Sequence, residues 1–361
     1  MIIDIVLGYA EGRGGLESVL TAVSQGLSRR GHRVRVFQAI QPMYLEWEDT
    51  LPEIYYYTLG RNFNDKNAVF EYALGYQEML SMLGLPDIIL ATHTPLFSYV
   101  CKLALSYLGE NNISPILSWL HGPPESFGGG EYLKYADGHL AISKAIGEKI
   151  LNYDKNKSIF YIGNPVALNS FDIIKRPRNK LKIIFVGRIN NIQKRIDILF
   201  NALKDLCGDW NLELIGDGQD RLALECMAEN LGISNNIHWL GWKERPWNEI
   251  KEASLLVISS DYEGFGLVIV EALARGVPVV STACDGPTDI IVEGKNGWLF
   301  PIGNSQALSE ILQNILDNKI ILPDAQTCIE SVKKFSPEKV VDKIERILLS
   351  FIASKESPVL L

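Results

Sequence analysis

The sequence predicts an α/β fold made of two doubly wound parallel-sheet domains. Three observations predict it. Short runs rich in Ile, Val and Leu recur along the chain, stretches with apolar residues at helical spacing lie between them, and both halves of the 361 residues alternate in this way. Unbroken apolar runs suit parallel strands buried on both faces. Their alternation with helices argues for doubly wound sheets. At ~100–200 residues per domain, the length suits two domains.

In the first half the expected strands are Ile2–Leu7, Val34–Ile40, Asp87–Ala91, Ile116–Leu120, Gly138–Ile142 and Ile159–Ile162. Leu16, Val19, Leu20, Val23 and Leu27 recur at helical spacing after the first strand, and Gly31 stops that helix. Gly8–Glu17 then reads as a strand-to-helix loop at the carboxyl edge of a sheet, where open α/β sheets bind ligands. Asn164-Pro165 closes this half, so the domains are expected at 1–165 and 166–336. The run Lys175–Lys180 has no apolar period and reads as part of a solvated interdomain connection, ahead of the alternative that its basic character attracts anionic lipid. The second half offers Lys182–Val186, Leu212–Ile215, Ile237–Leu240, Leu255–Ser259, Pro278–Ser281 and Gly297–Phe300 as strands. A last helix spans 337–361, with Ser336 as its cap and Pro337 at its first position. Its stripe of Val340, Val341, Ile344, Ile347, Leu348 and Phe351 has to pack against something.

Composition excludes several classes. The formal net charge is −8 and the pI 5.3, which speaks against bulk nucleic-acid binding. The longest apolar runs, such as Leu255–Ile258, fall far short of the ~20 residues that span a bilayer. The start lacks a basic region and carries Asp4 within its apolar stretch, against a secretory signal. Five scattered Cys without a C-x-x-C read as reduced thiols in a cytoplasmic protein. No two His have metal-ligand spacing, no D-x-D is present, and neither G-x-S-x-G nor a Walker lysine loop occurs. No metal and no cofactor is therefore expected.

Four places could carry chemistry. After the run Leu255–Ser259 comes Ser260-Asp261-Tyr262-Glu263-Gly264-Phe265-Gly266-Leu267, then a helix expected over Leu267–Arg275 that bears Glu271. Backbone N–H groups at such a helix start favour an anion. Carboxylates beside it suit the hydroxyls of sugars flanking a diphosphate. The residues alone leave a second reading, with Glu263 a capping acid and Glu271 a surface charge. Arg188 and Lys194 bracket a polar loop after Lys182–Val186. They suit a diphosphate leaving group or are solvated charges. Gly12-Arg13-Gly14-Gly15 lacks the G-x-G-x-x-G order, and Arg33 and Arg35 stand where a dinucleotide site needs an acid. Close backbone approach at Gly14 and Gly15 stays open, as does a ligand role or a plain turn for Gly216-Asp217-Gly218. His121, exposed at a sheet edge before Gly122-Pro123-Pro124, reads as a site residue. His93 is a weaker case of the same kind. His32, His139 and His238 read as structural.

Taken together in order, these segments resemble the family 4 retaining glycosyltransferases of GT-B fold. The resemblance also rests on Arg30-Gly31-His32-Arg33-Val34, Trp119-Leu120-His121-Gly122, Ala136–Ser143 and Gly163-Asn164-Pro165-Val166. Within that family, Trp239-Leu240-Gly241-Trp242, Pro246-Trp247 and Cys284–Asp289 look most like bacterial lipopolysaccharide-core α-1,6-galactosyltransferases. The resemblance implies two Rossmann-like domains facing a cleft, an acceptor domain and a donor domain, with the last helix crossing back to the first. It implies a hexose, galactose or glucose, moved from a UDP-sugar to a hydroxyl of a glycan or glycolipid acceptor with retention. Arg188 and Lys194 would hold the diphosphate, Glu271 the ribose, and Glu263 the donor-sugar hydroxyls with backbone from Gly264, Phe265, Gly266 and Leu267. His121 would face the donor sugar, and Gly14 and Gly15 would approach donor and acceptor. With no carboxylate placed as nucleophile, a front-face displacement is expected. The turn Asp285-Gly286-Pro287-Thr288-Asp289 departs from the family pattern, and the acceptor loops near 41–66 and 123–131 match no motif. A sugar-nucleotide epimerase or hydrolase, or a non-catalytic binding subunit, are the alternatives. The expected location is the cytoplasm, with peripheral contact to the inner membrane allowed and no nucleic-acid partner.

Overall fold

The computed structural model describes residues 1–58, 68–109, 114–168 and 172–356. Parts of two expectations lie outside those residues: 59–66 of the first acceptor loop and 357–361 of the last helix. The chain forms two compact units, Met1–Val166 with the segment from Phe335 onwards, and Ala167–Lys334. The boundaries fall one and two residues from those read in the sequence.

In the first unit the strands are β1 (Ile2–Leu7), β2 (Arg33–Gln38), β3 (Ile54–Tyr56), β4 (Ile88–His93), β5 (Ile116–Leu120), β6 (Gly138–Ala141) and β7 (Ile159–Tyr161). They form one parallel sheet in the order β3-β2-β1-β4-β5-β6-β7. In the second, β8 (Leu181–Val186), β9 (Trp210–Ile215), β10 (Ile237–Gly241), β11 (Leu255–Ile258), β12 (Val279–Thr282) and β13 (Gly297–Phe300) run in the order β10-β9-β8-β11-β12-β13, again parallel. Each apolar run read from the sequence is a strand. The exception on the other side is β3, a three-residue edge strand that the sequence reading missed.

The helix Gly15–Arg29 buries Val19, Leu20, Val23 and Leu27, the stripe that the spacing foretold. Against it lies the helix Pro337–Glu356, which returns the chain to the first unit. Val340, Val341, Ile344 and Leu348 are at most 1% exposed. Gly26 makes this contact close, since a Cβ there would sit 2.7 Å from a methyl of Val341. His32 ties the pair at the rim through Glu345, 2.7 Å away. Among the described residues no helix is long and apolar enough to cross a membrane.

The acid inside the first strand has a partner. Asp4 and Arg35 are both fully buried and meet in a two-pronged ion pair at 2.6 and 2.9 Å. Arg35 also donates to the carbonyls of Leu83 and Gly84, and the Tyr76 hydroxyl donates to Asp4. So Arg35, on the strand where a dinucleotide site would place its ribose-binding acid, is a core residue. Removing one member of such a pair strands a charge in the interior at a cost of ~3–5 kcal/mol, whereas removing both is far milder. Arg35→Leu is therefore expected to lower stability by about 3–5 kcal/mol, and Asp4→Leu combined with Arg35→Leu by clearly less. Urea unfolding of the single and double variants measures this, and simple addition of the two single losses would refute it.

Candidate functional site

In the second sheet, β8 lies between β9 and β11, so the chain leaves β8 toward one side and later returns on the other. Such a switch point opens a crevice at the carboxyl ends of the strands. The loops after β8 and β11 and the helices that follow them flank it, and these segments carry Arg188 with Lys194 and Glu263 with Glu271.

The loop after β8 turns through Gly187 and Arg188 into a short helix, Asn191–Lys194, which the Asn190 side chain caps by accepting from Gln193 N. Arg195 follows in the left-handed region at φ 46°, held by Asp197 and Asp261. That turn sends the next helix, Ile196–Leu203, onto the core and leaves Lys194 aimed across the switch point. Its Nζ lies 2.6 Å from Glu263 Oε1, and the Ser260 hydroxyl donates to the same oxygen at 2.7 Å. The two loops are sewn together further by Ser259 Oγ to the Lys194 carbonyl and by Asp261 N to the Gln193 carbonyl, both 2.9 Å. Arg188 is exposed; its carbonyl accepts from Asn190 N at 3.0 Å, and its side chain makes no ion pair or hydrogen bond with a described residue.

Backbone packing fixes these loops. A Cβ on Gly216, at φ +147°, would fall 1.8 Å from the Gly187 carbonyl oxygen, and one on Gly218 2.2 Å from that of Ile189. The turn Gly216-Asp217-Gly218 thus lies directly against the Arg188 loop, bonded to it through Gly187 N to Ile215 O and Ile189 N to Asp217 O. Packing alone demands glycine at both positions. Gly286 does the same on the other side: its N–H donates to the Glu263 carbonyl, and a Cβ would meet the Phe265 backbone at 2.2–2.4 Å. The turn that departs from the family pattern therefore supports Glu263 from behind.

Gly266, left-handed at φ +92°, starts the helix Leu267–Leu273. This helix ends two residues earlier than expected, and Gly276 at φ +77° turns the chain beyond it. Gly264 and Leu267 are half-buried, Phe265 and Gly266 buried. Glu271 is half-buried and accepts from the Trp247 indole at 2.8 Å. The Arg275 guanidinium lies 4.7 Å over the Trp247 ring and donates to the Glu271 carbonyl. Burial brings the Arg275 pKa down to about 10, with Glu271 opposing. Sequence reasoning gave no role to Trp247, Ser260, Thr282 or Gly286. Thr282 holds the Ser260 carbonyl at 2.6 Å and so aims the residue that grips Glu263. Trp247, Ser260 and Gly286 had been named only as members of segments, and Thr282 not at all.

The first unit has a switch point of its own, between β1 and β4. After β1, Gly12 stands at φ +98° with its Cα against the Tyr44 carbonyl, and Gly14 at φ +150° lies over the Glu17 carboxylate. Gly14 and Gly15 are exposed, and Gly15 is the first helical residue. Glu17 is helical and buried and accepts from Gly12 N. His121, expected to be exposed, has its Nε2 buried without a hydrogen-bond partner among the described residues, as does Trp119 Nε1 beside it. Phe127, Trp119 and His93 close around this edge, and desolvation first, then His93, pushes the His121 pKa down to about 3. Its ring is neutral at pH 7. His93 ends β4 at φ 78°, a strained conformation for a residue with a Cβ. Of the histidines read as structural, His139 is buried between Ser118 and Asp154, His32 binds the last helix, and His238 is exposed on β10. Among the described residues no three His, Cys, Asp or Glu gather as a metal-ligand set.

Residues 168–348 match the family described as glycosyl transferases group 1. Over 281 residues the chain is 31% identical to a lipopolysaccharide 1,6-galactosyltransferase of Escherichia coli K12, covering 75% of this chain and 77% of that protein. The solved apo form of the lipopolysaccharide outer core galactosyltransferase WaaB superposes with a TM-score of 0.87 at 24% identity, over 97% of this chain and all of the other. An Anabaena protein, HepE, solved with UDP and glucose, gives 0.75 at 21% identity over 96% and 99%.

Two stability predictions follow from the geometry. Gly216→Ala has to displace the Gly187 backbone and strain its own, and is expected to cost about 2–4 kcal/mol by chemical unfolding; a neutral result would mean that the two turns are not in contact. The depressed His121 pKa makes its share of stability full above the ordinary value of 6.5 and lost as pH falls from there towards about 3. His121→Gln is expected to flatten part of the acid-side stability slope, the remainder coming from His93 and His139, whose pKa values burial also lowers. Unfolding curves between about pH 7 and 4 test this, and an unchanged slope counts against it.

Proposed function

The chain belongs to the group 1 glycosyl transferases and has their two-unit GT-B class of fold, and from that footing we propose that it moves a hexose, galactose first, from a UDP-sugar to a hydroxyl of a lipopolysaccharide-core or related glycolipid acceptor, with retention and an α-linkage. One observation carries the reading: at the switch point of the second sheet, an unpaired Arg188 stands on the same loop as Lys194, which is paired to Glu263 across the crevice. Cations on the loop after the first strand of a sheet suit a diphosphate, and the carboxylates opposite suit hydroxyls. The names of the relatives point the same way on sugar and acceptor, and HepE, of the same fold, was solved with UDP.

In this proposal Arg188 and Lys194 hold the diphosphate, Glu271, steadied by Trp247, takes the ribose, and Glu263 takes sugar hydroxyls with the backbone of Gly264–Leu267. Gly216 and Gly218 shape the loop that carries Arg188. His121, neutral and with a bare ring nitrogen, is suited to a sugar hydroxyl, and Gly14 and Gly15 to close backbone approach. The acceptor oxygen bonds to the anomeric carbon as the bond from that carbon to the phosphate oxygen breaks, and the acceptor proton passes to the departing phosphate. The two cations face charge that grows as the bond breaks, so their contribution is larger in the transition state than in the ground state. Without a paired-acid motif, we propose that turnover needs no divalent ion. We place the enzyme in the cytoplasm, meeting its acceptor at the inner membrane face.

The test is steady-state kinetics with UDP-galactose and UDP-glucose at saturating acceptor, with and without EDTA. Arg188→Ala is expected to lower kcat about 100–1,000-fold, the effect of losing ~3–4 kcal/mol of transition-state stabilisation. Glu271→Ala is expected to raise the donor KM more than it lowers kcat, because the ribose changes little during reaction, and Glu263→Ala to affect both. An Arg188→Ala enzyme altered in KM alone, with Glu271→Ala dead at an unchanged KM, would overturn the roles. UDP release without any need for acceptor would favour a hydrolase or epimerase instead, and loss of turnover in EDTA restored by manganese would remove the metal-free reading.

A further inference from the structure

At the opposite edge of the second sheet, where β8, β9 and β11 begin, lies a cavity of about 420 Å³ that the transfer reaction leaves unused. One wall is the run Arg176-Pro177-Arg178-Asn179-Lys180, which the sequence suggested was a solvated connection. The run is exposed, as that reading had it, but lies within the second unit rather than in a connection between domains. Lys175 bridges to Glu252 beside the sheet, and Arg176 turns onto the carbonyls of Leu322 and Pro323 at 3.3 and 2.6 Å. The facing wall is apolar, from Ile315, Ile320 and Leu322, with Ile321 at its rim 83% exposed.

The charge at this cavity is unbalanced. Among the described residues Arg176 has no carboxylate within ion-pair distance; burial pulls its pKa down, with Cys328 and then Asp324 opposing from farther away. Arg178 is exposed and has no partner among the described residues. Lys180 meets Asp209 at 3.3 Å, but both are well exposed, so that pair is weak and exchangeable. Three cations thus share one lining carboxylate, on a chain of net charge −8. Convergent positive charge of this kind repels itself unless an anion sits within it. The volume falls in the range of small-ligand pockets, room for a phosphate and several carbons.

We propose that this cavity is a second ligand site, independent of the transfer reaction, which binds a phosphate ester carrying an apolar group: phosphate on Arg176, Arg178 and Lys180, apolar portion on Ile320 and Ile321. An anionic phospholipid headgroup and a free phosphorylated metabolite share this chemistry.

Calorimetric titration of the full chain with hexyl phosphate and with inorganic phosphate tests the site. Hexyl phosphate is expected to bind more tightly than phosphate, and Ile321→Ser to erase that difference. Arg178→Glu with Lys180→Glu is expected to weaken binding about tenfold or more, while Arg188→Ala leaves it intact. Both altered side chains are exposed; Arg178→Gln with Lys180→Gln, checked for unchanged urea unfolding, repeats the test without charge reversal. Sedimentation with vesicles of phosphatidylglycerol in phosphatidylcholine separates the sources. Binding abolished in the Arg178/Lys180 variants assigns the site to lipid, and hexyl phosphate binding without vesicle binding assigns it to a free ester. No binding of hexyl phosphate, or binding lost with Arg188→Ala and kept in the Arg178/Lys180 variants, overturns the proposal.

Discussion

Backbone lying on backbone is the constraint on which the second unit's sheet edge depends. The Gly187 carbonyl occupies the space where Gly216 would carry a side chain, and Gly286 presses on the Phe265 backbone from the other side. These contacts leave the loops after β8 and β11 little freedom. They let two polar segments, rich in groups that would otherwise pair with water, present a fixed array of charge. A loop held only by its own side chains would pay the entropy of ordering each time a ligand arrived.

Within that frame the Lys194–Glu263 pair has a further consequence. Glu263 is buried, so without Lys194 its charge would be costly to keep. Ser260 shares the same carboxylate oxygen, and Thr282 in turn fixes Ser260. Under the proposed reading, an arriving diphosphate competes with Glu263 for Lys194, and sugar hydroxyls compete with Lys194 for Glu263. Each partner that is drawn away is compensated by the part of the ligand that draws it. Neither charge need be left bare at any stage, which a lone lysine or a lone glutamate at this depth could not achieve.

How much of this the sequence made legible depended on the range of the interaction. Strands appeared as apolar runs because their burial on both faces imposes composition residue by residue. The edge strand β3 escaped because Ile54-Tyr55-Tyr56 is half-buried and too short for a pattern. Arg188, Lys194, Glu263 and Glu271 were visible because loops at strand ends carry few charges by accident. Their supports were not: nothing in Trp247 or Thr282 announces a neighbour 24 or 22 residues away in the chain. Gly216 could be read as a ligand glycine or a turn, and only its distance from Gly187 reveals a packing demand. His121 was placed correctly at a strand end, but its desolvation comes from packing, with Trp119 against its ring and His93 nearby, that its place at the strand end does not announce.

The two units solve the same topological problem with different sets of polar groups. Each sheet reverses its strand order at one point and opens its carboxyl edge there. In the second unit that edge is charged, with Arg188, Lys194, Glu263 and Glu271 on it. In the first, beside the charges of the loop after β1, the half-buried imidazoles of His93 and His121 are uncharged at pH 7, nitrogens of His121 and Trp119 have no partner among the described residues, and the charges of the first two strands, Asp4 and Arg35, are paired in the core. A charged edge binds a polyanion through long-range attraction but discriminates poorly among neutral hydroxyls. Unpartnered neutral donors and acceptors do the reverse, because each buried one is costly until a hydroxyl at the right position satisfies it. Under the proposed reading, in which the ligands combine a diphosphate with sugars, the protein gains from keeping the two kinds of surface on separate sheets, where neither field weakens the other.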